Sequence, residues 1–180
     1  MLALASFSYA QELPSSIRGY KVHRVKVHVR SGGEQKGGEK EATVKIGQPR
    51  IIDIGLEGLT LEATAEISGL DQDGQVDSLT FNDVIVNGIP LRIEDYEQPF
   101  KLKKAVPVLL PVPVRGTVSS LNVAKAAYKE ATASRDIWQV SGTVLVFGRF
   151  RKMGITFKRV IPVPIDLTIP NPLKALVQTR

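Results

Sequence analysis

The sequence predicts a mainly β protein, an antiparallel β-sandwich with one α-helix. Three observations predict it. Apolar residues recur at every second position along several stretches, Gly, Pro and Asn interrupt those stretches at short intervals, and a single segment has helical spacing. Short strands with frequent turns are the pattern of two packed antiparallel layers. The 180 residues suit one domain, and 43% hydrophobic residues make the chain too apolar for a disordered one. A chain of this length buries roughly 70% of its unfolded surface, so its core needs no covalent staple. The chain has no cysteine, which excludes disulfides, thiolate metal sites, cysteine nucleophiles and a lipoprotein anchor.

The elements follow in order. Residues 1–10, MLALASFSYA, carry no charged side chain, and Ser8-Tyr9-Ala10 puts small residues where a signal peptidase reads. They read as the remnant of a secretory signal, which sets the protein in the periplasm or cell envelope. The alternative, a short apolar strand, leaves it cytoplasmic. Within residues 11–48, Tyr20–Arg30 and Glu41–Gln48 read as two strands joined by the Gly-rich stretch 31–40, a flexible connection by composition. They are expected to form an N-terminal β-hairpin added to a main unit at 49–172, with 173–180 as a tail.

In the main unit, Leu59, Leu61, Ala63, Ala65 and Ile67 alternate with Thr60, Glu62, Thr64 and Glu66, a half-buried strand with one wet face. Asn87-Gly88 stands between Val84-Ile85-Val86 and Ile89-Pro90-Leu91, which is a tight hairpin signal because both turn residues need positive φ. Trp138–Phe147 and Ile155–Ile169 read as long strands, joined as a hairpin near Gly148 and Met153-Gly154. Pro107, Pro111, Pro113, Pro162 and Pro164 cannot donate to a ladder, so their segments are expected at sheet edges or with the affected nitrogens directed outward. Ser119–Arg135 is the helical segment. Its Leu121, Ala124, Tyr128 and Ala131 are expected to face a sheet, with Ser119 or Ser120 as cap. The longest apolar run, Ala105–Val114, holds three prolines and is too short to span a membrane.

Charge is distributed in blocks. Residues 1–50 carry net +5, 51–100 carry −10 and 101–180 carry +11. Opposite blocks in one domain can pair across neighbouring strands or form a two-faced surface field.

Little in the chain supports catalysis. His23 and His28 are an odd number of residues apart, so one strand places them on opposite faces. Asp71, Asp73 and Asp77 near Gly74 could supply a loose oxygen site for a cation, but an EF-hand frame through Gly74 lacks both essential carboxylates. Gly33 and Gly38 have phosphate-loop separation, but Glu39 stands where the lysine belongs. Glu94, Asp95 and Glu97 read as a solvated rim. No Gly-x-Ser-x-Gly occurs, and no histidine lies near a serine motif. No enzyme activity, metal or cofactor is expected. The densest basic cluster is Arg149, Arg151, Lys152, Lys158 and Arg159, interleaved with Phe147, Phe150 and Phe157. It is the candidate contact for an anionic polymer, a lipid surface or a protein partner; the bland reading makes the phenylalanines core and the charges solvated.

From Pro49 to Pro172 the order of segments resembles the group 2 late embryogenesis abundant family, also described as the water stress and hypersensitive response domain. LTLEATAEI comes first, then a strand ending in Val-Asn-Gly-Ile-Pro-Leu. FKLKKAVPVLLPVPV is similar to the family's Val-Pro-Val strand, and Trp-Gln-Val-Ser-Gly-Thr-Val to its aromatic-x-Val-x-Gly-x-Val strand. IPVPIDLTIP closes the unit. Where the family carries Asn-Pro-Asn, this chain reads Ser68-Gly69-Leu70. The resemblance implies a fibronectin-III or immunoglobulin-like sandwich and a non-catalytic role in the cell envelope, in desiccation or another stress response. It brings no catalytic residues. The alternative is an envelope binding module that docks an anionic partner through the basic hairpin.

Overall fold

In a computed structural model the described residues are 13–24, 30–31, 43–68, 73–152 and 154–171. Residues 1–10, most of the Gly-rich stretch and 173–180 lie outside them, as do His28, Asp71 and Met153. The strands are β1 (Ser16–Ile17), β2 (Tyr20–Val22), β3 (Arg30–Ser31), β4 (Thr43–Ile46), β5 (Arg50–Gly55), β6 (Gly58–Ala63), β7 (Ala65–Ser68), β8 (Gly74–Val86), β9 (Ile89–Pro90), β10 (Arg92–Ile93), β11 (Phe100–Leu102), β12 (Val108–Leu109) and β13 (Val114–Ser119). Then come α1 (Ser120–Ala133), β14 (Ile137–Lys152) and β15 (Ile155–Pro170). The protein is mainly β, with several largely antiparallel sheets and one helix. The large sheet runs β1-β2-β15-β14-β8-β11, with β9 also on β8; two small sheets run β10-β13-β6-β5 and β12-β7-β4-β3.

The β14–β15 hairpin forms the spine. Its strands pair from Ile137↔Pro170 to Lys152↔Ile155, and Gly154 takes φ +81° in the turn. The Asn87-Gly88 turn forms as expected, at φ +50° and +79°, between β8 and β9. β8 carries one more residue than β14 between Ser141 and Thr143, and again between Phe147 and Gly148. Each bulge shifts which alternate residues of β8 face inward. Val84 and Val86, then Leu79 and Phe81, then Val76 therefore all reach the same interior.

The proline segments lie where the missing donors do no harm. β12 is an edge strand of its sheet. The carbonyl of Val160 accepts from His23 N at 2.9 Å, which marks the side of β15 that faces β2. Pro162 and Pro164, two and four residues on, present their nitrogens to that same side. The β2 pairing has ended at Val160 by then.

Three expectations are corrected. First, the described parts of Tyr20–Arg30 and Glu41–Gln48 do not pair with each other as one antiparallel hairpin. β2 joins the large sheet in parallel with β15, while β4 pairs antiparallel with β7 and parallel with β3. The cause is packing: Leu145, Phe147 and Val160 need cover, and Ile17, Tyr20 and Val22 supply it. Strands before residue 48 thus pair with strands beyond it. Second, the alternating strand 59–67 is two strands, broken at Thr64 and shared between the two small sheets. Third, the helix is turned. Leu121 and Tyr128 are 69% and 74% exposed, while Val123, Ala126 and Glu130 are the half-buried side. Polar anchors set this rotation: Ser120 Oγ donates to Leu56 O at 2.5 Å and Lys129 Nζ to Asn87 O at 2.6 Å. Ser119 occupies the N-cap position without a side-chain capping bond.

Candidate functional site: an apolar cavity between the sheets

The inward faces of the three sheets do not close on one another. They leave between them a partly open cavity of about 430 Å³, lined almost wholly by aliphatic and aromatic side chains. The large sheet contributes Phe81, Val84, Val144, Val146, Ile165 and Leu167, and the small sheets contribute Val44, Ile46, Leu59, Leu61, Ile67 and Val114. Val123, Ala126 and Ala127 of α1 cover one flank. Many of these inward apolar residues, Leu61, Ile67, Phe81, Val144 and Ile165 among them, are only half-buried, because they look into the cavity. Two buried clusters adjoin it. Val76, Leu79, Phe100, Leu110 and Phe150 form one buried cluster, and Val84, Val140, Leu167 and Ile169 another.

Polar side chains that line the cavity stand in ion pairs or polar contacts. Glu62 is 13% exposed and pairs with Arg50 at 2.5 Å and Arg115 at 4.0 Å. Lys129 is held by Asn87 O. Glu130 Oε1 accepts from Asn171 Nδ2 at 2.6 Å, and Asn171, 4% exposed, also donates to Arg135 O at 2.8 Å. Asn171 thus ties the end of β15 to the end of α1 and holds the helix over the cavity. Trp138 Nε1 has almost no accessible surface and no hydrogen-bond partner.

The basic cluster is split between two faces. Arg149 pairs with Lys158 and Arg151 with Thr156 in the hairpin register, so Arg149, Arg151 and Lys158 share the outer face. Arg159 pairs with Gly148 and lies on the inner side with Phe150 and Phe157; its guanidinium carbon is 5.1 Å from the Phe157 ring centre. Lys152 falls at the hairpin tip. Arg149 is engaged: its Nε and Nη2 donate to Asp77 Oδ1 at 3.2 and 2.7 Å. That hydrogen bond, with the carboxylate charge, raises the Arg149 pKa. Tyr20 Oη donates to Asp77 Oδ2 at 3.0 Å. Burial first, then the Asp77 hydrogen bond and charge, push the Tyr20 phenol up from its ordinary 10.0. Phe147 is 1% exposed and Phe150 6%, so both are core, as the bland reading had it.

The acidic candidates are placed likewise. Asp77 serves Arg149 and Tyr20, and Asp73 Oδ1 accepts from Lys104 N at 2.8 Å. Among the described residues no three His, Asp or Glu side chains converge as a metal site. Asp95 pairs with Arg18 at 3.1 Å. Tyr96 is buried, and its hydroxyl accepts from Val112 N at 3.2 Å. Four ion pairs among the described residues join a flanking basic block to the central acidic one: Arg18–Asp95, Arg50–Glu62, Arg115–Glu62 and Arg149–Asp77. The block pattern is, in these pairs, internal complementarity.

Sequence reasoning missed the cavity. Alternation shows which side of a strand is apolar, not whether anything fills the space in front of it.

Neither a family model nor a curated protein matches the chain. A crystal structure of a protein from Archaeoglobus fulgidus is similar in part, with 11% identity, 71% of this chain and 94% of that chain covered, and a TM-score of 0.37. Among the described residues no helix is long and apolar enough to cross a membrane.

Proposed function

We propose that this protein is a non-catalytic binding protein that holds an apolar, lipid-like molecule between its sheets. The observation that carries the reading is the unfilled space of about 430 Å³ behind apolar walls. Protein interiors are close-packed, with few voids larger than a water. The size lies within the range of small-molecule sites, roughly 300–1,000 Å³, whose walls are mostly apolar with a few placed polar groups. The non-catalytic part rests on the wall itself: Glu62, Lys129 and Glu130 are engaged with neighbouring groups and stand beside no nucleophile–base pair.

We read the facing layers as a variant of the immunoglobulin and fibronectin type of sandwich, on their joint enclosure of one apolar interior. The setting is the cell envelope under drying or another stress, which the late embryogenesis resemblance implies. Titration with N-phenylnaphthylamine, whose emission rises in apolar surroundings, tests the binding. Saturable binding by the wild type is expected, and Val144→Phe, which pushes a ring into the cavity, should abolish it. A wild type without saturable binding, or a variant that binds unchanged, overturns the reading.

A second reading, docking on an anionic lipid surface or polymer, is favoured by one observation. Arg149, Arg151 and Lys158 lie on one face of the hairpin, and Arg151 and Lys158 are exposed. Replacing Arg151 and Lys158 by Gln should weaken retention on anionic vesicles and on heparin and flatten its salt dependence. Unchanged retention removes this reading and leaves the cavity untouched.

A further inference from the structure

We infer that the outer side of α1 and the β5–β6 turn together dock on a bilayer of zwitterionic lipid, from which the cavity exchanges its molecule. The inference rests on the apolar-ligand reading above. α1 packs on β6 and β13 and covers one flank of the cavity with Val123, Ala126 and Ala127. Leu121 and Tyr128, seven residues apart and so on one side of the helix, point the other way and are exposed. The larger apolar side chains of the helix thus face outward over an unfilled interior, and smaller ones face in. Ser120 Oγ, bonded to Leu56 O, brings the β5–β6 turn against the first turn of α1, and the Leu56 side chain on that turn is fully exposed. This exposed patch is continuous with the cavity wall. Val118, Leu59 and Ile54 stand directly opposite one another across β13, β6 and β5, so their side chains share one face of the sheet. Val118 and Leu59 line the cavity, and Ile54, next in the row, is largely exposed.

The surroundings select a lipid surface as the occupant. Single exposed apolar residues are ordinary on a protein surface, so the weight lies on their grouping beside one apolar cavity. A molecule suited to such walls leaves water readily, and a bilayer is the phase in which it collects. Leu121 and Tyr128 can enter the acyl boundary while Lys125, four residues from the one and three from the other, reaches back to the head groups, as in helices that lie in a membrane interface. The exposed charges of the two elements balance, Asp53 and Glu57 against Lys125 and Lys129, so this face favours no anionic surface, unlike the basic hairpin. A second copy adding a strand is disfavoured by the edge itself. β5 ends its sheet, but Ile52 is an extra residue opposite β6, and a bulge of this kind spoils an edge for a further strand.

The chain has no cysteine, so a single one can carry a label. The test labels Leu56→Cys, Leu121→Cys, Tyr128→Cys and, by the β14–β15 turn, Ile155→Cys with a nitrobenzoxadiazole dye, and adds vesicles of phosphatidylcholine or of phosphatidylglycerol. Phosphatidylcholine should raise the emission and shift it to the blue at positions 56, 121 and 128 and leave position 155 unchanged. Replacing Leu56 and Leu121 together by Ser should weaken retention of the unlabelled protein on these vesicles about tenfold or more, since each leucine loses its apolar burial. N-phenylnaphthylamine binding without vesicles should stay as in the wild type, because neither side chain lines the cavity. Dye signals unmoved by phosphatidylcholine, or unchanged retention of the double variant, overturn the inference. A shift at position 155 with phosphatidylglycerol alone also overturns it and assigns the membrane to the basic hairpin. A shift at position 121 that needs no lipid and grows with protein concentration overturns it too and assigns the face to a second copy. The probe titration without vesicles decides the apolar-ligand reading separately: a wild type without saturable binding overturns that reading whatever the vesicles do.

Discussion

On its outer face the β14–β15 hairpin packs Leu145, Phe147 and Val160 beneath Ile17, Tyr20 and Val22. On its inner face Val144, Val146 and Ile165 look into the cavity. Both faces belong to the same two strands, and both are apolar. The outer one is sealed by the short segment Ser16–Val22, helped by an edge-on contact of the Tyr20 and Phe147 rings at 5.3 Å and by Arg18 at 5.5 Å from the Phe147 ring centre. The inner one has two further sheets and a helix in front of it and is still unfilled. Available apolar surface therefore does not set how tightly each face packs. The difference lies in what approaches: a close strap outside, and inside two sheets and a helix that do not close on it.

The largest expected effect breaks the sealed side. Phe147→Ala removes a fully buried ring from a site with no spare space and should cost roughly 3–5 kcal/mol in denaturant unfolding. Val144→Ala, on the opposite face of the same strand, only enlarges an existing space and should cost about 1 kcal/mol or less. Equal losses would mean that the two faces are equally packed.

The next effect has a sign that sharpens the contrast. Enlarging a side chain in a packed core destabilises by roughly 1–3 kcal/mol. Val144→Phe should instead leave the ligand-free protein unchanged or raise its stability by up to about 1 kcal/mol, as cavity filling does. A loss of the packed-core size would show that the cavity closes in solution.

The unequal legibility of the two faces has physical causes. The Asn87-Gly88 turn, the β14–β15 hairpin, the helix and the edge placement of Pro162 and Pro164 were readable because each depends on local backbone chemistry. The helix's facing was not, since it is set by Ser120 on Leu56 O and Lys129 on Asn87 O, contacts 64 and 42 residues apart in sequence. The bulges at Asp77 and Asp83 were hidden for a similar reason. They shift β8 against β14 and let residues of both parities face one interior, which a period-two count cannot follow. Val144 and Phe147 read alike in an alternating strand. Only the third dimension shows that one meets a strap and the other a void. Of the basic cluster, sequence located the hairpin correctly, but the strand register divides Arg149, Arg151 and Lys158 from Arg159.

The smallest effect isolates the polar lock on the outer face. Tyr20→Phe removes the hydrogen bond to Asp77 and should cost roughly 0.5–1.5 kcal/mol at neutral pH. Its pH dependence follows from the raised Tyr20 pKa. A folded-state pKa above the unfolded value of 10.0 means that the folded form holds the phenol proton more tightly. The stability linked to that proton is complete below the unfolded pKa and is lost as pH rises through the folded one. The wild type's advantage over Tyr20→Phe should therefore stay level up to about pH 9 and shrink above about pH 10. An advantage that stays constant to about pH 11 would show that the phenol has no preferential hold on its proton in the folded state. N-phenylnaphthylamine binding by the same variant should not change, because Asp77, Arg149 and Tyr20 meet on the far side of the sheet from the cavity. A joint loss of strap stability and probe binding would mean that the strap holds the inner face open, and the two faces would then be one cooperative device.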